Sequence, residues 1–269
     1  MTVPLLVGTP SITVAALADR DDVLILGSGL GTDVHIWDLA LPILEAKKAV
    51  LRWDIPGHGK SPQAEGGYTI ADLAAGVISL ADEYGVDRFD YAGVSGGGAV
   101  GLELARLYPD RVKRLVTVCT STQSGTTEMW VHRAAEARAH GTAAILPDLI
   151  ARWFAPDFPT RDPRTTEKVL AMVVATQREA YAKLCDAMAG FDGWAILNDI
   201  ATPTLIIAGG LDPTATSAGA QKAAAAMTHG TCVIVENTSH RAIVEKPLEV
   251  ARAIADFLAD GADEPRRVS

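Results

Sequence analysis

The most constraining feature of the chain is one stretch, RFDYAGVSGGGAVGLELARLYPD, Arg88 to Asp110. An apolar, β-rich run ends in a cluster of glycines around Ser95, and a helical pattern begins at once. A sharp strand-to-helix turn of this kind belongs to sheets whose parallel strands are joined through helices. Two chemistries use such a turn. Gly93, Ser95 and Gly97 spell G-x-S-x-G, which presents a nucleophilic serine. Gly96, Gly98 and Gly101 spell G-x-G-x-x-G, which cradles a dinucleotide pyrophosphate.

The rest of the chain supplies the sheet. DDVLILGSG, AVLRWDIPG, VKRLVTVCTS, PTLIIAGGLDP and TCVIVENTSH read as strands, and so does ITVAALA near the start. Helical patterns separate them: about 33–47, then TIADLAAGVISLADEYG with Thr69 as N-cap, then about 97–108 and about 221–227. PLEVARAIADFLAD, with Pro247 at its start, closes the series. Near-continuous apolar strands alternating with helices predict an α/β fold, a mostly parallel sheet with helices on both faces. The alternation breaks between about 121 and 197, a stretch with helical spacing, no convincing strand, and Trp130, Trp153 and Trp194. We read it as a helical cap inserted over the carboxyl ends of the strands, where open α/β sheets bind ligands. The chain then divides into core segments 1–120 and 198–269 and an insertion, 121–197. The plainer alternative is a set of packing helices with no role at the site.

The two glycine readings make different further demands. A dinucleotide fingerprint needs an acidic residue ~20 positions on, at the end of the next strand. KRLVTVCTSTQSG has none, and GSGLG at Gly27 to Gly31 lacks the full spacing. No cofactor is therefore expected. A serine hydroxyl needs a histidine to take its proton and a carboxylate to orient that histidine. Asp212 follows the strand TLIIAGG and His240 follows TCVIVENTS, in the order Ser, Asp, His. A turn or N-cap aspartate and a surface histidine are the bland alternatives for these two. The oxyanion of a tetrahedral intermediate needs two amides. One is that of Gly96, next to the nucleophile. The other comes from the loop in LILGSGLGTDVHIW, where the usual separation from Trp37 selects Leu30 over Ser28 or Gly31.

Composition narrows the partners. A net charge of −9 argues against a nucleic-acid backbone and leaves a small molecule as the expected partner. No apolar run reaches a membrane span, and the N-terminus makes a poor signal peptide, so a cytoplasmic protein is expected. Cys119, Cys185 and Cys232 read as buried free thiols. His58, in DIPGHGKS, reads as structural or as pocket edge, and no histidine cluster has metal-ligand spacing, so no metal is expected. The tail DEPRRVS reads as a frayed terminus. Oligomeric state is not legible.

With these residues assembled, the chain resembles the α/β-hydrolase superfamily, and within it the 3-oxoadipate enol-lactonases of aromatic catabolism. The resemblance is carried by GLGTDVHIWD, WDIPGHGKS and GVSGGGAVGLELARLYPDRVKRLV. It continues through the insertion pieces EMWVHRAAEARAHG, ARWFAPDF and ATQREAYAKLCDAM, then IAGGLDPTA and SHRAIVEKP. It implies a serine hydrolase that opens a carboxylated enol-lactone through an acyl-enzyme, without a cofactor. Arg133 matches an arginine of the family's W-x-x-R piece and is the expected partner of the substrate carboxylate. Trp130 and Trp153 are the expected pocket walls. Two positions depart from the family pattern. Gly96 stands where a bulky residue usually follows the serine, and the oxyanion loop reads LGSGLG where Asn or Ser is common. The same triad also suits a carboxylesterase, another lactonase or a carbon–carbon bond hydrolase. A non-catalytic binding protein of the same fold is the reading from a different class.

Overall fold

In the computed structural model, residues 3–122 and 125–259 are described; the tail DEPRRVS lies outside them. The chain opens with β1 (Val7–Pro10) and the short helix α1 (Val14–Ala18). Here the structure corrects the sequence reading, since most of ITVAALA is helix and not strand. The Thr13 hydroxyl accepts the Ala16 amide and closes a helical first turn, while Leu17 turns into the core. The strand lies earlier, on VGTP, and Pro10 is tolerated at its end because β1 is an edge strand.

β2 (Val23–Gly27) follows, then a 3₁₀ turn over Val34–Trp37 and the short helix α2 (Leu41–Leu44). The single helix expected over 33–47 is thus broken. Asp33 caps the 3₁₀ turn, and Pro42 has no N–H with which to continue a helix into α2. β3 (Ala49–Asp54) leads to α3 (Ile70–Glu83), whose start carries a capping box: Thr69 accepts the Asp72 amide and Asp72 accepts the Thr69 amide. β4 (Phe89–Val94), α4 (Gly96–Leu107) and β5 (Val112–Val118) complete the first half.

Five helices come next: α5 (Thr127–His140), α6 (Leu146–Trp153), α7 (Phe158–Arg161), α8 (Pro163–Ala175) and α9 (Arg178–Ala189). No strand occurs among the described residues of this region. The alternation then resumes with β6 (Thr204–Gly209), α10 (Ser217–Ala226), β7 (Gly230–Val235), α11 (Ala242–Glu245) and α12 (Pro247–Ala259). α10 starts earlier than its alanines suggest because Thr216 caps it, accepting the Gly219 amide.

The seven strands form one sheet in the order β1-β3-β2-β4-β5-β6-β7, and only β1 runs antiparallel. β2, β4 and β6 are buried along their whole length, which is why their sequences do not alternate. Leu24, Ile25, Leu26, Tyr91, Trp37 and Trp53 are wholly buried around them. Each aliphatic side chain removed from water there contributes about 1.5–3 kcal/mol. β7, at the other edge, alternates between half-buried and exposed residues. Cys232 lies on it and is only half-buried, unlike Cys119 and Cys185, which are buried as expected; all three are free thiols. Because β4, β6 and β7 run parallel, the residues that follow them emerge along one rim of the sheet.

Candidate active site

Ser95 sits between β4 and α4 with φ 52° and ψ −113°, a conformation that costs a non-glycine residue of order 1–3 kcal/mol. The surroundings enforce it. The Ser95 amide donates to Val118 O at 2.9 Å, and its carbonyl accepts the amides of Gly98 and Ala99 at 2.9 and 3.1 Å. A Cβ on Gly93 would overlap the Gly97 carbonyl, and one on Gly97 would press on the backbone of Gly27 and Ser28. The competing glycine pattern has a plain packing role. Gly98 faces Thr120, and Gly101 faces Leu115 and Tyr91, so these positions meet protein and form no ligand cradle.

The structure brings the other two candidates to this serine. His240 Nε2 lies 3.0 Å from Ser95 Oγ, and His240 Nδ1 lies 2.7 Å from Asp212 Oδ2. The carboxylate accepts the Nδ1–H, so Nε2 is left with its lone pair toward the hydroxyl. The other oxygen of Asp212 accepts the amides of Thr214 and Ala215 at 2.7 and 3.0 Å. Asp212 is therefore both a turn-closing residue and the partner of the imidazole. Burial pushes its carboxyl up, but the charge and hydrogen bond of His240 and the two amides outweigh this and hold it below the usual value. His240 and Asp212 are nearly inaccessible to solvent.

The loop after β2 runs beside the serine, placed there by the Gly27–Gly93 register of β2 and β4. Thr32 Oγ1 accepts the Gly29 amide at 3.1 Å and donates to the Gly29 carbonyl at 2.9 Å. The Gly31 amide donates to His58 Nε2 at 3.1 Å, and the Nδ1–H of the same ring donates to Pro56 O at 3.2 Å. His58 is fully buried, and burial pushes its pKa down to about 4, so it is a neutral acceptor that shapes this loop. With the Gly31 amide engaged, the Leu30 amide is the one that faces Gly96: a Cβ on Gly96 would lie 3.7 Å from Leu30 N. The same Cβ would meet Leu184 Cδ2 at 3.7 Å, an ordinary contact, so the glycine after the serine leaves usable space.

A cavity of about 30 Å³ opens onto Ser95, His240 and Leu30. The insertion supplies its far wall with Trp130, Arg133, Arg152 and Trp153, and Thr214 and Arg241 complete it. All three residues expected there from the sequence, Arg133, Trp130 and Trp153, are present. Arg133 lies 5.1 Å from the centroid of the Trp130 ring and 3.7 Å from Asp148. Arg152, Thr214 and Arg241 were not foreseen. Arg152 adjoins Trp153 and Arg241 adjoins His240 in sequence, but arginine is so rarely buried that neither neighbour announces a cavity position. Arg152 pairs with the largely exposed Asp148, and burial together with nearby Arg133 lowers its pKa.

The histidine loop is stitched to the end of α6. The Ser239 hydroxyl donates to Arg152 O at 2.9 Å, and the Arg241 amide donates to Trp153 O at 2.9 Å. The buried Glu245 carboxylate accepts the amides of Ser239 at 2.7 Å and Ala155 at 3.0 Å. Among the described residues, no His, Cys, Asp and Glu cluster is placed to hold a metal, and no helix is long and apolar enough to cross a membrane.

Comparison with known proteins identifies the family of the fold. The Alpha/beta hydrolase family model matches residues 23–253. The chain is 32% identical over 237 residues to 3-oxoadipate enol-lactonase 2 of Acinetobacter baylyi, covering 88% of each. It is 28% identical over 249 residues to a putative carbamate hydrolase RutD of Pseudomonas syringae, covering 88% of this chain and 93% of that one. Among solved structures, the enol-lactonase of Burkholderia xenovorans superposes with a TM-score of 0.87 at 31% identity, over 94% of this chain and 96% of that one. Fold, rim placement of the three side chains and these likenesses together establish that the chain belongs to the alpha/beta hydrolase family and is a hydrolase.

Proposed function

We propose that the chain is a serine hydrolase that opens a carboxylated enol-lactone through an acyl-enzyme. The observation that carries the reading is the continuous hydrogen-bonded line from Ser95 to His240 to Asp212, at 3.0 and 2.7 Å. The names of the relatives from Acinetobacter baylyi and Burkholderia xenovorans support the choice of an enol-lactone.

In this reading Ser95 Oγ attacks the ring carbonyl while His240 Nε2 takes its proton. Asp212 holds the imidazole and stabilises its cationic form. The amides of Leu30 and Gly96 hold the oxyanion, and losing one such donor costs about 3 kcal/mol of barrier. Ring opening releases an enolate that takes the proton from His240, and the enol becomes a ketone. Water, deprotonated by His240, then attacks the acyl-enzyme, and His240 returns that proton to the departing Ser95 Oγ as the second carboxylate is freed. Residues 121–197 act as a cap over core segments 1–120 and 198–269, with Trp130 and Trp153 as apolar walls and Arg133 drawing the substrate carboxylate.

A substrate panel tests the proposal. It contains 3-oxoadipate enol-lactone, a neutral lactone, a carbamate and a neutral aryl ester. The expected result is the highest kcat/KM on the enol-lactone. Turnover of it no faster than of the aryl ester removes the specific substrate. Absence of fluorophosphonate labelling at Ser95 removes serine catalysis and leaves the non-catalytic reading.

A further inference from the structure

Arg241 is an unusual residue to find wholly inside a protein. It is 1% exposed and forms no ion pair among the described residues. Its Nη2 donates to Leu30 O at 3.3 Å, while Nε and Nη1 are buried without any hydrogen-bond partner. Burial lowers its pKa only to about 10, so it carries its charge near neutral pH. A buried charge with unsatisfied donors is strongly unfavourable unless a partner satisfies them. Its position is also rigid. The guanidinium stacks 3.6 Å from the Trp153 centroid, and its backbone amide is bonded to Trp153 O.

One of these donors, Nη1, lies beside the glycine loop that borders Ser95. A Cβ on Gly29 would meet Val94 O at 3.1 Å, Ser95 Cβ at 3.3 Å and Arg241 Nη1 at 3.4 Å, so Ser95 and Arg241 both border this glycine. Arg241 lines the cavity with Ser95 and His240. Arg133 and Arg152 line it too, but both share Asp148. The buried hydroxyl of Tyr181 lies within the field of all three guanidinium groups and has no hydrogen-bond partner of its own. Three guanidinium groups thus converge on one small space, with the exposed Asp148 and the buried Asp212 as the acidic groups near them.

We infer that Arg241 forms the inner anion subsite of this cavity and holds a carboxylate of the substrate next to the scissile carbonyl. This rests on the serine-hydrolase reading but not on any particular lactone. The chemical class selected is a short ester or lactone bearing a carboxylate a few atoms from the reacting carbonyl. Arg133 and Arg152, partly neutralised by Asp148, act at the outer wall. Charge-assisted hydrogen bonds from a fixed guanidinium provide the selectivity.

The test uses the full chain and two aryl esters of equal length, 4-nitrophenyl hydrogen succinate and 4-nitrophenyl butyrate. The readout is the ratio of their kcat/KM values, with succinate as a competitive inhibitor. Wild type is expected to favour the carboxylated ester, and Arg241→Met to lower the ratio by about 50-fold. Arg241→Lys, which keeps the charge but loses the planar fork, is expected to retain part of it. Succinate inhibition of the wild type should be lost in Arg241→Met while fluorophosphonate still labels Ser95. Wild type without carboxylate preference, or the same preference in Arg241→Lys and Arg241→Met, overturns the subsite. If Arg241→Met does not fold, the Lys variant and succinate inhibition of the wild type decide by the same criteria. An enol-lactone left intact while carboxylated esters are still preferred through Arg241 removes the lactone and supports the subsite.

Discussion

His58 provides a quantitative test of how the loop beside Ser95 is held. Its ring is buried and neutral, accepts the Gly31 amide, and has a pKa pushed down to about 4 by burial. In the unfolded chain the same ring takes up a proton near its ordinary value of 6.5. Between these two values the unfolded state binds more protons than the folded state, so stability rises with pH and falls on acidification. The linkage integral predicts a loss of about 2 kcal/mol between about pH 7.5 and about pH 5, and about 3 kcal/mol once both states are protonated. Asp54 and Glu245 have carboxyls pushed up by burial, and they add slope of the opposite sign. A variant is therefore needed to isolate the ring. His58→Gln places a non-titrating acceptor near the Gly31 amide. Urea unfolding followed by tryptophan fluorescence gives the free energy at each pH. The difference between wild type and His58→Gln should shrink by about 2 kcal/mol on acidification to about pH 5. A difference independent of pH refutes the assignment of His58 as a buried neutral acceptor.

Other expectations follow from the same geometry. Asp212→Asn preserves much of the shape but favours the wrong imidazole tautomer, and steady-state assays should show kcat lowered by roughly 10⁴-fold. Arg133→Ala should raise KM for a carboxylated ester by about 10-fold, with a smaller effect on a neutral one; equal effects remove Arg133 from substrate recognition. Gly97→Ala drives a methyl into the backbone of Gly27 and Ser28, and urea unfolding should register a loss of about 2 kcal/mol or more together with slower fluorophosphonate labelling.

The convergence of Ser95, Asp212 and His240 was legible because its demands are local as well as distant. The glycines around Ser95 reflect backbone contacts that no side chain permits, Asp212 follows the wholly buried β6, and His240 follows the edge strand β7. Leu30 was legible for a similar reason, since the glycines beside it mark a loop that turns inward. Periodicity failed where caps and prolines decide. Thr13 turned an apolar run into α1, and Pro42 split the expected helix after β2. Arg241 was illegible in principle. Its burial depends on Trp153, which lies 88 positions away in the numbering and meets it only after folding. No local pattern distinguishes such an arginine from one at the surface.

The stitching of the histidine loop has a consequence for how anything enters. A cavity of about 30 Å³ holds little more than water, against the roughly 300 Å³ or more of typical ligand sites, so part of its wall has to retreat. Withdrawing Trp153 would strain the bonds from Ser239, Arg241 and Glu245 and drag His240 with it. On the opposite side, α5 is fastened to α9 through Thr127 and Arg138, and Arg133 reaches α6 through Asp148, which also pairs with Arg152. Trp153 is thus coupled to His240 through the loop that carries the imidazole, and the cavity cannot widen on the Trp153 side without moving the ring.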